Sequence, residues 1–347
     1  MRLRTVLLLL LVLGFSMSDA WIAARAAEGA VSQQVTFTSN DGTVLAGTLT
    51  LPTGATEKVP ALVLLQGSGP TNRDGNQPPV LRTDLLRQIA EGLAHRGIAS
   101  LRYDKRGLPT NAASIPADPA DYATYFNWGR FVDDAYAAYA FLRAQPSIDL
   151  RKTGLLGHSE GGTIALDLSN RLQTAEKPAF LVLMAAPGRR LDVIVREQLE
   201  RQLNALKPAQ KRVFLAENDR IVQSIRDTGA IPPKVPAALA GLYPSYSGPF
   251  LQAQLKLEPS ELAQRYPGPV LLVQGDADIQ VSAERDALAL DRALQKRAEG
   301  SHALILLPRT SHNMKALQDD KDMGFEGEID PALTERVATW LLSKTTP

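Results

Sequence analysis

The sequence predicts an α/β fold: a mostly parallel sheet with helices on both faces and an inserted helical cap. Three observations lead there. Short, continuously apolar runs recur between amphipathic segments, the pattern of strands buried on both faces. A glycine-rich turn, Gly157 to Gly161, joins one of those runs to a helical segment. One interval, Arg189 to Gly268, is far longer than the roughly dozen residues that a crossover between parallel strands requires.

At the start, Arg2 and Arg4 precede the apolar run Val6 to Leu13, and Ala24-Arg25-Ala26 supplies an A-x-A site. These features describe a secretory signal peptide over residues 1–26. The run is shorter than the ~20 residues of a membrane span. The expectation is cleavage after Ala26 and an exported protein, periplasmic or secreted, with no stable membrane span. An uncleaved N-terminal anchor is the alternative.

Residues 27–188 read as the first part of the core. Val35 to Ser39 and Val44 to Leu51 largely alternate around Asn40-Asp41-Gly42, a hairpin signal that adds antiparallel strands at one edge. Ala61 to Leu65 is an apolar strand ending at Gly67. Asp84 to His95 is an amphipathic helix, with Leu85, Leu86, Ile89 and Leu93 on one face and Gly97 as its stop. Strands are expected at Ile98 to Tyr103, Thr153 to Leu156 and Phe180 to Met184. Helices are expected over Phe131 to Leu142 and from about Gly162.

Residues 189–268 read as the helical cap. Leu191, Val195, Leu199, Leu203 and Leu206 form one apolar stripe. Phe214, Ile221, Val222 and Ile225 form another, stopped by Gly229. A peripheral elaboration away from the chemistry is the alternative to a cap. Residues 269–347 complete the core, with strands at Val270 to Val273 and His302 to Leu307 and helices at Asp286 to Leu294 and Leu333 to Leu342.

Composition narrows the function. Lys and Arg number 38 against 37 Asp and Glu, a net charge of +1, so no cationic excess marks a nucleic-acid binder. Cysteine is absent, which excludes disulfides, Cys–zinc sites and a thiol nucleophile. With 4 histidines, a His-rich metal cage is not expected. Neither a metal nor a cofactor is called for.

Gly157-His158-Ser159-Glu160-Gly161 is a G-x-S-x-G between a strand and a helix. Such a turn lifts a serine hydroxyl above the sheet edge at a helix N-terminus, where backbone N–H groups favour negative charge. Ser159 is the candidate nucleophile. It needs a histidine base, and the base needs a carboxylate. His302 opens an apolar strand, whereas His312 lies in the polar loop after it, at the sheet edge where catalytic groups gather. His312 is therefore favoured. Gly275-Asp276-Ala277-Asp278 offers the acid, with Asp278 preferred and Asp276 as runner-up. The oxyanion donors are expected to be the backbone N–H groups of Glu160 and Ser68, with Gly67 second to Ser68. The charges of Arg102 to Gly107 could pair with Asp74 or line the site, and an ion-pair cluster bracing the loops is the favoured reading. Tyr122, Tyr125, Phe126 and Trp128 read as core packing before a substrate wall.

With those residues in this order, the chain resembles the α/β-hydrolase superfamily from about Val31 to its C-terminus, and more narrowly the secreted bacterial esterase/serine-aminopeptidase-like branch. The matching segments are Ala46-Gly47-Thr48-Leu49, Gly67-Ser68-Gly69-Pro70 with Arg73-Asp74, Leu101-Arg102-Tyr103-Asp104, Gly157 to Gly162, and Gly275 to Asp278 with Gln280-Val281. Gln66 departs from the pattern, since many members have His before that glycine. The resemblance implies an eight-stranded sheet and a Ser–His–Asp hydrolase acting on a small-molecule ester or other acyl substrate without a cofactor. Two other functions are weighed. An aminopeptidase would need acidic groups to grip an ammonium, for which the cap offers Glu197, Glu200, Glu217 and Asp219. A hydrolase-like binding protein would use the fold without the chemistry.

Overall fold

Apolar runs without alternation fill the middle of one sheet. The computed structural model describes residues 29–319 and 322–345, so the signal peptide expected over residues 1–26 lies outside the described residues. The strands are β1 (Ala30–Thr38), β2 (Val44–Pro52), β3 (Val59–Leu65), β4 (Ala99–Tyr103), β5 (Ile148–His158), β6 (Leu181–Met184), β7 (Val270–Gly275) and β8 (His302–Leu307). They form one sheet in the order β1-β2-β4-β3-β5-β6-β7-β8. β1 and β2 are antiparallel, as are β2 and β4. Every other pairing is parallel.

Alternation along each central strand divides the core in two. Ala61, Val63, Leu65, Leu155, Leu181 and Leu272 face α3 (Trp128–Arg143), α4 (Glu160–Arg171), α8 (Pro259–Arg265) and α9 (Leu288–Gln295). Leu62, Leu64, Leu156, Val182 and Leu271 face α1 (Leu85–Ala94) and α10 (Pro331–Thr345). A parallel sheet needs cover on both faces, and these helices supply it. This is the α/β-hydrolase fold. A one-turn helix, α2 (Tyr122–Tyr125), precedes α3.

Between β6 and β7 the chain builds α5 (Leu191–Gln202), α6 (Pro208–Thr228) and α7 (Gly248–Leu255) before α8. Gly229, at φ 70°, ends α6 in the left-handed cap that glycine favours. Leu199, Leu215, Ile221, Val222, Ile225, Leu239, Tyr243 and Leu255 form a separate apolar cluster in this segment. α8 instead gives Leu262 and Ala263 to the main core. Among the described residues, no helix is long and apolar enough to cross a membrane.

The loop after β4 is anchored by a buried ion pair. Arg106 Nε and Nη2 donate to the two Asp134 carboxylate oxygens of α3 at 2.8 and 2.6 Å, and Nη1 donates to Tyr125 O and Asp41 Oδ2 at 2.8 and 3.0 Å. Both side chains of the Arg106–Asp134 pair are essentially inaccessible. Removing Asp134 would leave the inaccessible Arg106 guanidinium with Asp41 as its remaining carboxylate and two of its N–H groups without their partner. Asp134→Ala is expected to lower unfolding free energy by about 3 kcal/mol, read from urea unfolding midpoints; a shift under about 1 kcal/mol would contradict this anchoring.

Candidate active site

β5 ends at His158 and α4 begins at Glu160, so Ser159 makes the whole turn between them. Its backbone sits at φ 54°, ψ −123°, a conformation that costs a non-glycine residue about 1–3 kcal/mol. The flanking glycines hold it there. A Cβ on Gly157 would lie 2.3 Å from Gly161 O, and one on Gly161 would lie 2.3 Å from Leu65 O. Ser159 N donates to Met184 O at 2.9 Å, tying the turn to the end of β6. The Glu160 amide opens α4, ahead of the helix's own hydrogen-bond ladder.

The loop after β3 runs directly beside this turn. A Cβ on Gly67 would be 3.3 Å from Ser159 Cβ, a tight contact that glycine relieves. Gln66 Nε2 donates to Tyr103 O at 2.7 Å, pinning the loop to the end of β4. Ser68 O accepts Thr71 Oγ1 and Gln77 Nε2, each at 2.9 Å, while the residue itself is exposed.

The loops after β7 and β8 bring Asp278 and His312 together. Asp278 Oδ2 is 2.8 Å from His312 Nδ1, and the two side chains are 0% and 8% exposed. Asp278 Oδ1 also accepts the amides of Gln280 and Val281 at 2.7 and 2.9 Å, and Oδ2 accepts Gln274 Nε2 at 2.9 Å. Burial alone would raise the Asp278 pKa. The His312 charge and hydrogen bond, with the Val281 and Gln280 amides, outweigh it and hold the carboxyl below its ordinary 3.8. An ionised carboxylate can only accept, so His312 Nδ1 carries a proton, and in the neutral ring this tautomer leaves the lone pair on Nε2.

His158 links this pair to the serine turn. Its Nε2 donates to His312 O at 2.9 Å, and the two rings lie 4.8 Å apart. Burial first, and the neighbouring His312 second, push the His158 pKa down to about 3. The unfolded chain, near the ordinary 6.5, therefore takes up this proton before the folded one does. The stability held by neutral His158 is full above about pH 6.5 and drains away as pH falls toward 3. At pH 5 the loss should reach about 2 kcal/mol. Comparing urea midpoints of wild type and His158→Gln at pH 7 and pH 5 isolates it; equal pH sensitivity in both would show that His158 titrates freely.

The other sequence candidates fall elsewhere. His302 opens β8 at the opposite sheet edge, with Nε2 3.2 Å from Asp291 Oδ1. Asp276 is exposed. Arg102 pairs with Asp74, and Arg73 with Asp104 at 2.6 Å. Trp128 and Tyr125 are buried. Tyr122 and Phe126 are half-buried and meet Tyr246 from the segment between β6 and β7, at 5.9 and 5.2 Å between ring centroids. All four acidic residues singled out there are paired: Glu197 with Arg189 and Arg285, Glu200 and Asp219 with Arg196, and Glu217 with Arg220. Among the described residues, no group of three or more His, Asp or Glu side chains could hold a metal ion.

Two residues at the site carried no specific signal in the sequence. Lys105, at 5% exposure, donates from Nζ to Gly67 O at 2.6 Å and to Glu160 Oε1 at 2.8 Å. Gln254, on α7, donates to Glu160 Oε2 at 3.0 Å.

Comparison with known proteins gives the family and the fold. The family model described as serine aminopeptidase, S33, matches residues 83–316. Esterase EstD of Thermotoga maritima is 26% identical over 312 residues, covering 88% of this chain and 68% of the relative. Among solved structures, the esterase domain of a Rhodothermus marinus protein superposes with a TM-score of 0.52 at 19% identity, over 89% of this chain and 97% of that one. Est1E of Butyrivibrio proteoclasticus, with ferulic acid bound, does so with a TM-score of 0.56 at 16% identity, over 89% and 99%. These structural likenesses concern the fold, whereas the family match runs through Ser159, Asp278 and His312: the chain belongs to the serine aminopeptidase S33 family of α/β hydrolases.

Proposed function

We propose that this protein is a serine hydrolase that cleaves carboxylic esters through an acyl-enzyme. Ser159 Oγ attacks the ester carbonyl carbon while His312 Nε2 takes its proton. Asp278 holds the Nδ1–H tautomer and stabilises the imidazolium. The carbonyl oxygen gains negative charge, which the Glu160 and Ser68 amides receive. Collapse expels the alcohol, protonated by His312, and leaves the acyl group on Ser159. Water, deprotonated by the same His312, then attacks the acyl carbon; collapse breaks the bond to Ser159 Oγ, which takes the proton back from His312 as the acid leaves.

The observation that carries this reading is the buried, hydrogen-bonded Asp278–His312 pair, joined through His158 to the strained Ser159 turn. The relative named as an esterase supports ester chemistry. The family name raises aminopeptidase activity, but that reading needs a free carboxylate for the substrate ammonium, and the acids proposed for it are already paired with arginines.

A fluorophosphonate probe tests the chemistry. It should label the protein stoichiometrically, on the peptide containing Ser159. The same protein should turn over p-nitrophenyl acetate or butyrate faster than aminoacyl p-nitroanilides by at least about tenfold. Absence of labelling would favour a binding protein with an inert serine; a preference for the anilides would favour a peptidase.

A further inference from the structure

Lys105 is a buried cation that lies beside the Ser159 turn and has no part in the proposed proton transfers. Its two polar contacts are what single it out. Nζ donates to Gly67 O at 2.6 Å, on the loop after β3, and to Glu160 Oε1 at 2.8 Å, on the first turn of α4. Those loops carry the two amides assigned to the oxyanion. The geometry is closer still on one side, because Gly67 C=O and Ser68 N–H belong to the same peptide group. That group is planar and resonance-linked, and in the trans form its C=O and N–H point in opposite directions. A cation on the oxygen draws electron density from the nitrogen, makes the N–H a stronger donor, and aims it away from the lysine.

On the other side, Glu160 carries a carboxylate on the residue whose amide is assigned to the oxyanion. Unpaired, that charge would oppose the chemistry. Lys105 offsets it at 2.8 Å, and the second carboxylate oxygen is taken by Gln254 of α7 at 3.0 Å. The helices between β6 and β7 therefore touch the same carboxylate that the lysine holds.

We infer that Lys105 is a positioning residue for the oxyanion hole, bracing the Gly67–Ser68 peptide and Glu160 together and strengthening the Ser68 N–H as a donor. The inference rests on the hydrolase reading above and adds to it a residue outside the Ser159, His312 and Asp278 set. Lys105 touches no reacting atom; it acts through the donors.

The experiment separates bracing from simple charge neutralisation. Lys105→Met alone leaves the half-buried Glu160 without a cation, so it is made beside the double variant Lys105→Met/Glu160→Gln, which removes both charges together. Thermal unfolding is recorded for each, and the double variant carries the test if the single one does not fold. With an aryl ester, kcat/KM of the double variant should fall about 10²-fold with KM within about twofold, since losing a whole oxyanion donor costs about 10²–10³. Affinity for an alkyl boronic acid, which forms a tetrahedral adduct on the serine, should fall in step with kcat/KM. Affinity for the carboxylic acid product should stay put.

If the double variant keeps wild-type kcat/KM, Lys105 is only a counter-ion for Glu160 and the inference is wrong. A loss appearing wholly in KM, or without a matching loss of boronate affinity, also overturns it. Wild-type labelling by the fluorophosphonate probe is scored separately. If it succeeds while the lysine variants stay fully active, the bracing role alone falls. If it fails, the hydrolase reading itself falls.

Discussion

Ser159→Ala is expected to lower kcat on a short-chain aryl ester by about 10⁵-fold or more, with KM changed by less than about threefold. The size follows from what is removed. Without Oγ no acyl-enzyme forms, so Asp278 and His312 have no proton to move, and only the oxyanion donors and substrate binding remain. The fold should survive. Ser159 and Ala share a Cβ, and the strained turn at φ 54° is imposed by the glycines around it, not by the hydroxyl. Steady-state kinetics, fluorophosphonate labelling and thermal unfolding of one preparation separate these effects. Retention of a tenth of wild-type activity by a folded Ser159→Ala protein would remove Ser159 from the mechanism.

This residue was legible in the sequence because its signal is local. A G-x-S-x-G between an apolar run and a helix encodes its own turn, and the close approaches at Gly157 and Gly161 show why those positions exclude side chains. The sheet was legible for a similar reason, since a buried parallel strand reads as an unbroken apolar run, and β7, buried along its whole length, opens at Val270 as the sequence reading has it. Element ends were less legible. α3 starts at Trp128, ahead of the expected Phe131, because Asn127 caps it by accepting Gly129 N at 2.9 Å. β5 starts at Ile148, ahead of Thr153, because Asp149, Arg151 and Lys152 break up its first residues, which escape a criterion of unbroken apolar runs. The helix read from Asp286 is wound as a π turn over Ala283–Ala287 before α9. There Asp286 is turned inward to accept Arg189 Nε and Nη2 at 3.1 and 2.8 Å.

What the sequence could not show was contact between distant segments. Lys105 appears in Asp104-Lys105-Arg106-Gly107 as one charge among several, and nothing in that spacing says which carbonyl it reaches. Gln254 lies 94 residues from Glu160 in a segment whose apolar stripes reveal helices but not where they dock. Hydrophobic periodicity reports which face of an element is buried. It carries no record of which polar partner waits there, so buried polar contacts emerge only with the assembled fold.

Asp278→Asn is the second large effect: kcat should fall about 10⁴-fold with little change in KM, although the substitution is nearly isosteric. The reason is a count of donors. Asp278 accepts four hydrogen bonds, from the Gln280 and Val281 amides on Oδ1 and from His312 Nδ1 and Gln274 Nε2 on Oδ2. An asparagine has one oxygen and one NH₂ group. Keeping the oxygen on the two backbone amides, which cannot move away, turns the NH₂ toward two groups that were donors. Gln274 Nε2 also donates to Gly275 O and Val281 O, so it stays a donor and loses only its bond to residue 278, whereas His312 must shift its proton from Nδ1 to Nε2 to accept. The base then faces Ser159 already protonated and cannot take the serine proton. Acylation should slow in proportion, so the rate of fluorophosphonate labelling should drop with kcat while the unfolding midpoint moves far less. A variant that labels at the wild-type rate would mean that Asp278 does not set the tautomer of His312, and that the base is oriented by its backbone link to His158 instead.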